Sequence, residues 1–182
     1  MKLKSVFFRI CPAIIGRAAG IIFPEQQNTH KHMKNNIVIR LENTLFNTNN
    51  INKHLPKAKD KANYVKTSLQ KCKFNDGFGD IIVFLKHMCS IKHIKINLVT
   101  SFKREYVYKL LEINDLYFID LCSTIERAIG NDKSTVVISA SENDLQYAMQ
   151  NNVDCIKYPA NTNDIYAAIG VRKATKPLEI AA

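Results

Sequence analysis

Two carboxylates, four hydroxyls and one guanidinium stand immediately behind three short apolar runs of this chain. Behind "NIVI" come Arg40, Glu42 and Thr44; behind "INLV" come Thr100 and Ser101; behind "TVVI" come Ser139, Ala140 and Asp144. Carboxylates in such places hold a divalent cation or move a proton, and hydroxyls donate to phosphoryl oxygens. A guanidinium fork meets a phosphate at two points. Three outcomes follow from these residue types. Glu42 could activate a water molecule as a general base. Arg40 with Thr100 and Ser101 could hold a phosphate or nucleotide without cleaving it. The third outcome is a crevice filled by its own side chains, in which Thr44, Thr100 and Asp144 persist as caps of turns and helices.

No other constellation competes. The five cysteines (Cys11, Cys72, Cys89, Cys122 and Cys155) are odd in number, scattered, and form no Cys-x-x-Cys pair. Neither a zinc ribbon nor a redox pair fits that spacing. His30-x-His32 lacks the cysteines of a finger. Buried or surface thiols in a reducing compartment, no metal and no cofactor are expected.

The elements that must position these residues can be read from the apolar pattern. "NIVIRL" is a β-branched strand that ends at Glu42-Asn43-Thr44. Residues 47–60 read as loop and 61–72 as a short helix. Residues 77–90 carry Phe78, Ile81, Ile82, Phe84, Leu85 and Met88 at helical spacing. A second strand spans 94–100, and an amphipathic helix spans 102–114 with Tyr106, Leu110 and Leu111 on one face. The short apolar "LYFIDL" is followed by a helix over 123–129, closed by Gly130. Strands over 134–139 and 153–158 flank a helix that Ser141 caps and that runs to about Asn151; a last helix over 162–169 ends at Gly170. Alternation of this kind predicts an α/β domain with a mostly parallel sheet, whose working groups gather at the carboxyl ends of the strands.

Three parts are therefore expected: a basic, apolar arm and linker over 1–36, an α/β domain over 37–170, and a basic-then-apolar tail over 171–182. The first acidic residue of the chain is Glu25, so the first 24 residues contain none. Lys2, Lys4, Arg9 and Arg17 punctuate an apolar stretch that includes Phe7 and Phe8. Arg9, Pro12 and Arg17 interrupt it too often for a secretory signal, and an acid-free, arginine-bearing leader is closer to an organellar transit peptide. The other use of such an arm is to lie buried on a partner. The whole chain carries 26 Lys+Arg against 16 Asp+Glu, a net charge of +10. That excess favours an anionic partner such as RNA or an anionic membrane face.

At its three strand ends the chain resembles the haloacid dehalogenase-like superfamily. "IVIRLENTLFNT" is similar to its first motif, an apolar strand followed by Asp-x-Asp-x-Thr-Leu-Phe-x-Thr. "IKINLVTS" with "KREYVYKLLEINDLYFID" resembles the second, where a strand ends in Thr or Ser. "STVVISASENDLQYAMQNNVDCIKY" resembles the fourth, strand-Gly-Asp-x-x-x-Asp with a following helix. The likeness spans about 130 residues in the right order. It implies a Rossmann-like sheet and, in intact members, an aspartate that attacks phosphorus, a second aspartate as acid/base, and carboxylate-held Mg²⁺.

By the same resemblance, this chain lacks the reacting atoms. The nucleophile position is Arg40, and the acid/base position is the longer Glu42. Thr44 and Thr100 match the family pattern, and Asp144 remains. Ser139-Ala140 stands where Gly-Asp would supply a metal carboxylate. The third-motif lysine has no clear counterpart, with Arg127 and Lys133 as loose candidates. The cap region, roughly Asn47 to Asp76, is short. The chain is thus expected to be a catalytically inactive structural subunit of a large mitochondrial assembly. A mitochondrial ribosome or an inner-membrane complex such as an ATP synthase would suit it. Other protein subunits, with rRNA or anionic lipid, are its expected partners, and no small-molecule substrate is expected.

Overall fold

The computed structural model describes residues 33–92 and 94–170. Five strands form one all-parallel sheet: β1 (Asn36–Arg40), β2 (Lys95–Val99), β3 (Asp120–Cys122), β4 (Thr135–Ser139) and β5 (Asp154–Lys157), in the order β3-β2-β1-β4-β5. The predicted α/β architecture is present. The central strand is β1, and the chain leaves it first toward β2 and β3, then returns to add β4 and β5 on its other side. Such a reversal of strand order opens a crevice at the carboxyl edge.

Register explains the two apolar layers. Ile37 lies between Ile96 and Val136, and Ile39 between Leu98 and Ile138. These rows are buried in a large cluster with residues of α3 (Phe78–Lys92), α4 (Arg104–Ile113) and α7 (Thr162–Ile169). Because side chains alternate across a strand, Val38 and Val137 face the other way. There they pack with Ile125, Ala128 and Ile129 of α5 (Ile125–Ile129) and Ala148 of α6 (Glu142–Gln150). Arg40 and Ser139 have the parity of Val38 and Val137, so both lie on the α6 side at the strand ends.

Four local readings change. Residues 47–60 are not a loop: α1 (Asn49–His54) and a 3-10 turn (Leu55–Lys57) precede α2 (Lys61–Leu69). Asparagines are weak helix formers, but Asn43 Oδ1 accepts from both Thr48 N and Thr48 Oγ1, and Ile51 is buried. Tertiary anchoring overrides propensity here. "LYFIDL" ends in a paired edge strand, β3, which three residues of alternation did not announce. Ser141 occupies the N-cap position of α6, but its side chain makes no capping bond. Finally, the domain begins before residue 37. Met33 packs on the core, Lys34 N donates to Ile169 O, and Lys34 Nζ pairs with Asp154 at 2.9 Å. The arm residues Lys2, Lys4, Phe7, Phe8, Arg9 and Arg17, and the tail from 171, lie outside the described residues.

Candidate functional site

At the end of the central strand β1, Arg40 turns onto the first turn of α6. Its Nε donates to Asp144 Oδ2 at 2.6 Å and its Nη2 to Asp144 Oδ1 at 2.5 Å. The two groups are 104 residues apart in sequence. Asp144 is also the acceptor for Ser139 Oγ at 2.8 Å, and its side chain is only 4% exposed. The third guanidinium nitrogen, Nη1, lies 3.5 Å from Glu42 Oε2. Burial alone would loosen the Arg40 proton, but the hydrogen bond and charge of Asp144, with Glu42 behind them, outweigh it and raise the pKa. Asp144 itself lies in the first turn of α6, where the helix dipole favours a negative charge.

Glu42 is held from the opposite side. Its Oε1 accepts from Thr100 Oγ1 at 2.9 Å, from Ser101 N at 2.6 Å and from Ser101 Oγ at 2.8 Å. Its Oε2 is buried without a hydrogen bond and meets only the Arg40 charge. Thr44 ties the first and fourth motifs together, because its Oγ1 accepts from Ala140 N at 2.8 Å. Asn43, at φ 54°, makes the left-handed step that lets the chain turn back toward α1.

The expected site residues do converge: Arg40, Glu42, Thr44, Thr100, Ser101, Ser139, Ala140 and Asp144 form one connected set. Their roles differ from those expected. Asp144 is not a helix cap but the anionic half of a two-point ion pair. Thr100 and Ser101 do not face an open phosphate cradle, because both hydroxyls are committed to Glu42. Above them remains a crevice of about 310 Å³, lined in part by Arg40, Asn43, Asn52, Ser101 and Ser141. The crevice is therefore only partly filled. Asn52, on α1, was hidden by the loop reading of its segment. Neither loose candidate for the lysine reaches the pair: Arg127 Nη1 touches Ser123 Oγ at 3.5 Å, and Lys133 precedes β4 at the opposite edge of the sheet.

A resident Mg²⁺ does not fit these residues. Both oxygens of Asp144 are occupied by a guanidinium, Ala140 supplies no ligand, and a fixed positive charge stands where the ion would sit. Among the described residues no group of three or more His, Cys, Asp or Glu side chains is arranged to hold a metal. A two-point Arg–carboxylate pair instead supplies, within the chain, the charge neutralisation that a cation supplies elsewhere.

The fold is that of a haloacid dehalogenase-like domain. Solved structures agree. A hydrolase of that superfamily from Ehrlichia chaffeensis has TM-score 0.51 and 15% identity, covering 75% of this chain and 96% of its own. A hydrolase from Streptococcus pneumoniae TIGR4 has TM-score 0.52 and 11% identity, covering 77% and 100%. The corresponding domain of effector protein Lem4 from Legionella pneumophila has TM-score 0.50 and 12% identity, covering 75% and 93%. At such identities the likeness shows the fold. No family model and no curated protein matches the chain.

Proposed function

We propose that this protein is a catalytically inactive haloacid dehalogenase-like domain kept as a structural subunit of a large mitochondrial assembly. The observation that carries the loss of activity is the Arg40–Asp144 pair. A guanidinium at the nucleophile position cannot attack phosphorus, and it also consumes the remaining fourth-motif carboxylate. Glu42 offers little as a substitute base, since one oxygen already accepts three hydrogen bonds and the other faces Arg40. A phosphate sensor centred on Arg40 would have to break the two-point pair first. The mitochondrial and assembly parts of the reading draw on the acid-free first 24 residues and the +10 charge. Among the described residues no helix is long and apolar enough to cross a membrane.

The test has two arms. The purified protein should hydrolyse p-nitrophenyl phosphate no faster than buffer with Mg²⁺ present, and Glu42→Ala should not change that. Its thermal midpoint should be indifferent to Mg²⁺, whereas Arg40→Asp, which places a carboxylate beside Asp144 and Glu42, should gain a Mg²⁺-dependent stabilisation. Turnover that Glu42→Ala abolishes would end the inactive reading. Migration of the endogenous protein as a free monomer on native gels of mitochondria would end the assembly reading.

A further inference from the structure

The positive charge of the described domain is not spread over its surface. Between Lys53 and Lys73 there are seven lysines and a single acid, Asp60. The other described residues carry 11 Lys+Arg against 13 Asp+Glu, so without this lobe the domain would be slightly acidic. Elsewhere, basic residues are often matched: Lys34, Lys86, Lys95, Lys109 and Lys157 each meet a carboxylate. None of the seven lobe lysines does, and all seven are exposed. They are carried by α1, the 3-10 turn, α2 and the segment after it. Self-repulsion among unpaired like charges costs stability, and a bound polyanion would relieve it.

Between α1 and α2 the lobe also has a cleft of about 350 Å³. Asn47, Asn50, Tyr64, Ser68, Lys71 and Lys73 line it, and no acidic residue does. Amide, hydroxyl and ammonium donors without an opposing carboxylate suit a phosphate group.

The chemistry of the lobe selects among anionic partners. Among the described residues the exposed large apolar side chains are Val83, Tyr108, Ile113, Tyr117 and Met149, none of them on this lobe. It therefore lacks the apolar wedge with which an interfacial helix enters a bilayer. Its cleft-lining aromatic, Tyr64, is half-buried against the core with its hydroxyl donating to Asn50 O, so it offers no open face for stacking single-stranded bases. It also contains no arginine between residues 47 and 73. Protein interfaces are enriched in arginine and aromatic residues and depleted of lysine, so an acidic protein suits it less well. Solvated lysines with amide and hydroxyl donors instead suit the sequence-independent phosphate contacts of a duplex.

We propose that the α1–α2 lobe is a docking surface for the phosphate backbone of duplex nucleic acid, with the Lys71–Lys73 cleft receiving one phosphate. This goes beyond the reading of the strand-end site and stands or falls without it. The test is fluorescence anisotropy of a labelled RNA duplex of arbitrary sequence with the full chain, over a range of salt. Lys57→Gln, Lys66→Gln, Lys71→Gln and Lys73→Gln combined should weaken binding by about tenfold or more. The slope of log affinity against log salt should fall by roughly 0.9 for each phosphate that the variant no longer neutralises. Lys92→Gln with Lys133→Gln, two exposed lysines outside the lobe, should leave affinity within about twofold. If the fourfold variant loses its native circular dichroism, the Lys71→Gln/Lys73→Gln pair takes its place with an expected loss of about threefold. Undiminished duplex binding by a folded lobe variant would overturn the proposal. So would absence of duplex binding, tighter binding to single strands, or loss only of binding to phosphatidylserine–phosphatidylcholine vesicles.

Discussion

Arg40 is the residue on which this molecule turns. A charge that is 18% exposed faces one that is 4% exposed, and each is satisfied mainly by the other. Arg40→Ala should destabilise the fold by about 3 kcal/mol, because Asp144 would be left buried without a counter-charge. Urea denaturation reads this directly, and a loss below about 1 kcal/mol would mean that solvent replaces the pair easily. Arg40→Met combined with Asp144→Leu should recover most of the loss, since apolar replacement of both partners removes the desolvation cost as well as the attraction. The thiols give a pH prediction. Burial pushes Cys72, Cys89 and Cys122 up from the ordinary 9.0. The folded state then holds these protons more tightly than the unfolded chain. Their contribution to stability is complete below 9.0 and declines as pH rises through the folded-state values. Unfolding midpoints should therefore fall on the alkaline side, and a Cys72→Ala/Cys89→Ala/Cys122→Ala variant should lose the thiol part of that limb, Tyr158 and Tyr166, also raised by burial, keeping the part above 10.0. An unchanged alkaline limb would place its cause in other groups.

At the level of elements, the sheet is held to α5 by a buried polar network that apolar patterning did not announce. Asn36 Nδ2 donates to Ala128 O at 3.0 Å and to Thr135 Oγ1 at 3.1 Å. Asn97 Nδ2 donates to Asn36 Oδ1 at 2.8 Å, and Cys122 Sγ reaches Asn97 Oδ1 at 3.4 Å. The two asparagines thus link β1 to β2 and satisfy carbonyls in the last turn of a five-residue helix. Asn36→Ala should cost about 2 kcal/mol, since it strands a buried amide and a helix-end carbonyl together. Hydrogen exchange should show the α5 amides opening first, and uniform loss of protection would argue against a local role. Exposed pairs such as Lys109–Glu112 should matter little by comparison.

For the whole molecule, the two apolar layers share one sheet. Ile37, Ile39, Val136 and Ile138 line one face, and Val38 and Val137 lie between them in sequence but point to the other. Loss of either layer exposes the back of the same strands, so both should unfold together. All seven tyrosines fall within residues 64–166, and the chain has no tryptophan. Tyrosine fluorescence therefore reports the domain alone, and its urea transition should coincide with loss of far-ultraviolet circular dichroism. Two separated transitions would show that the layers are independent.

The sequence by itself determined the class of fold, most of the helices, four of the strands and the three strand ends that meet in space. Apolar periodicity and turn residues are local, and they survive in one chain read alone. That Arg40 and Ala140 stand where the resembled motifs carry aspartates was equally legible, because these are identities at single positions. Only the tertiary structure decided what Arg40 and Asp144 do. Their pairing spans 104 residues and depends on β1, β4 and α6 lying side by side, which no local pattern encodes. The same holds for Glu42, whose partners Thr100 and Ser101 come from the end of the next strand, and for α1, whose Ile51 is buried in the core although its own propensity for helix is weak. What reads in sequence as a site stripped of its chemistry is, in three dimensions, a site whose charges have been matched to one another.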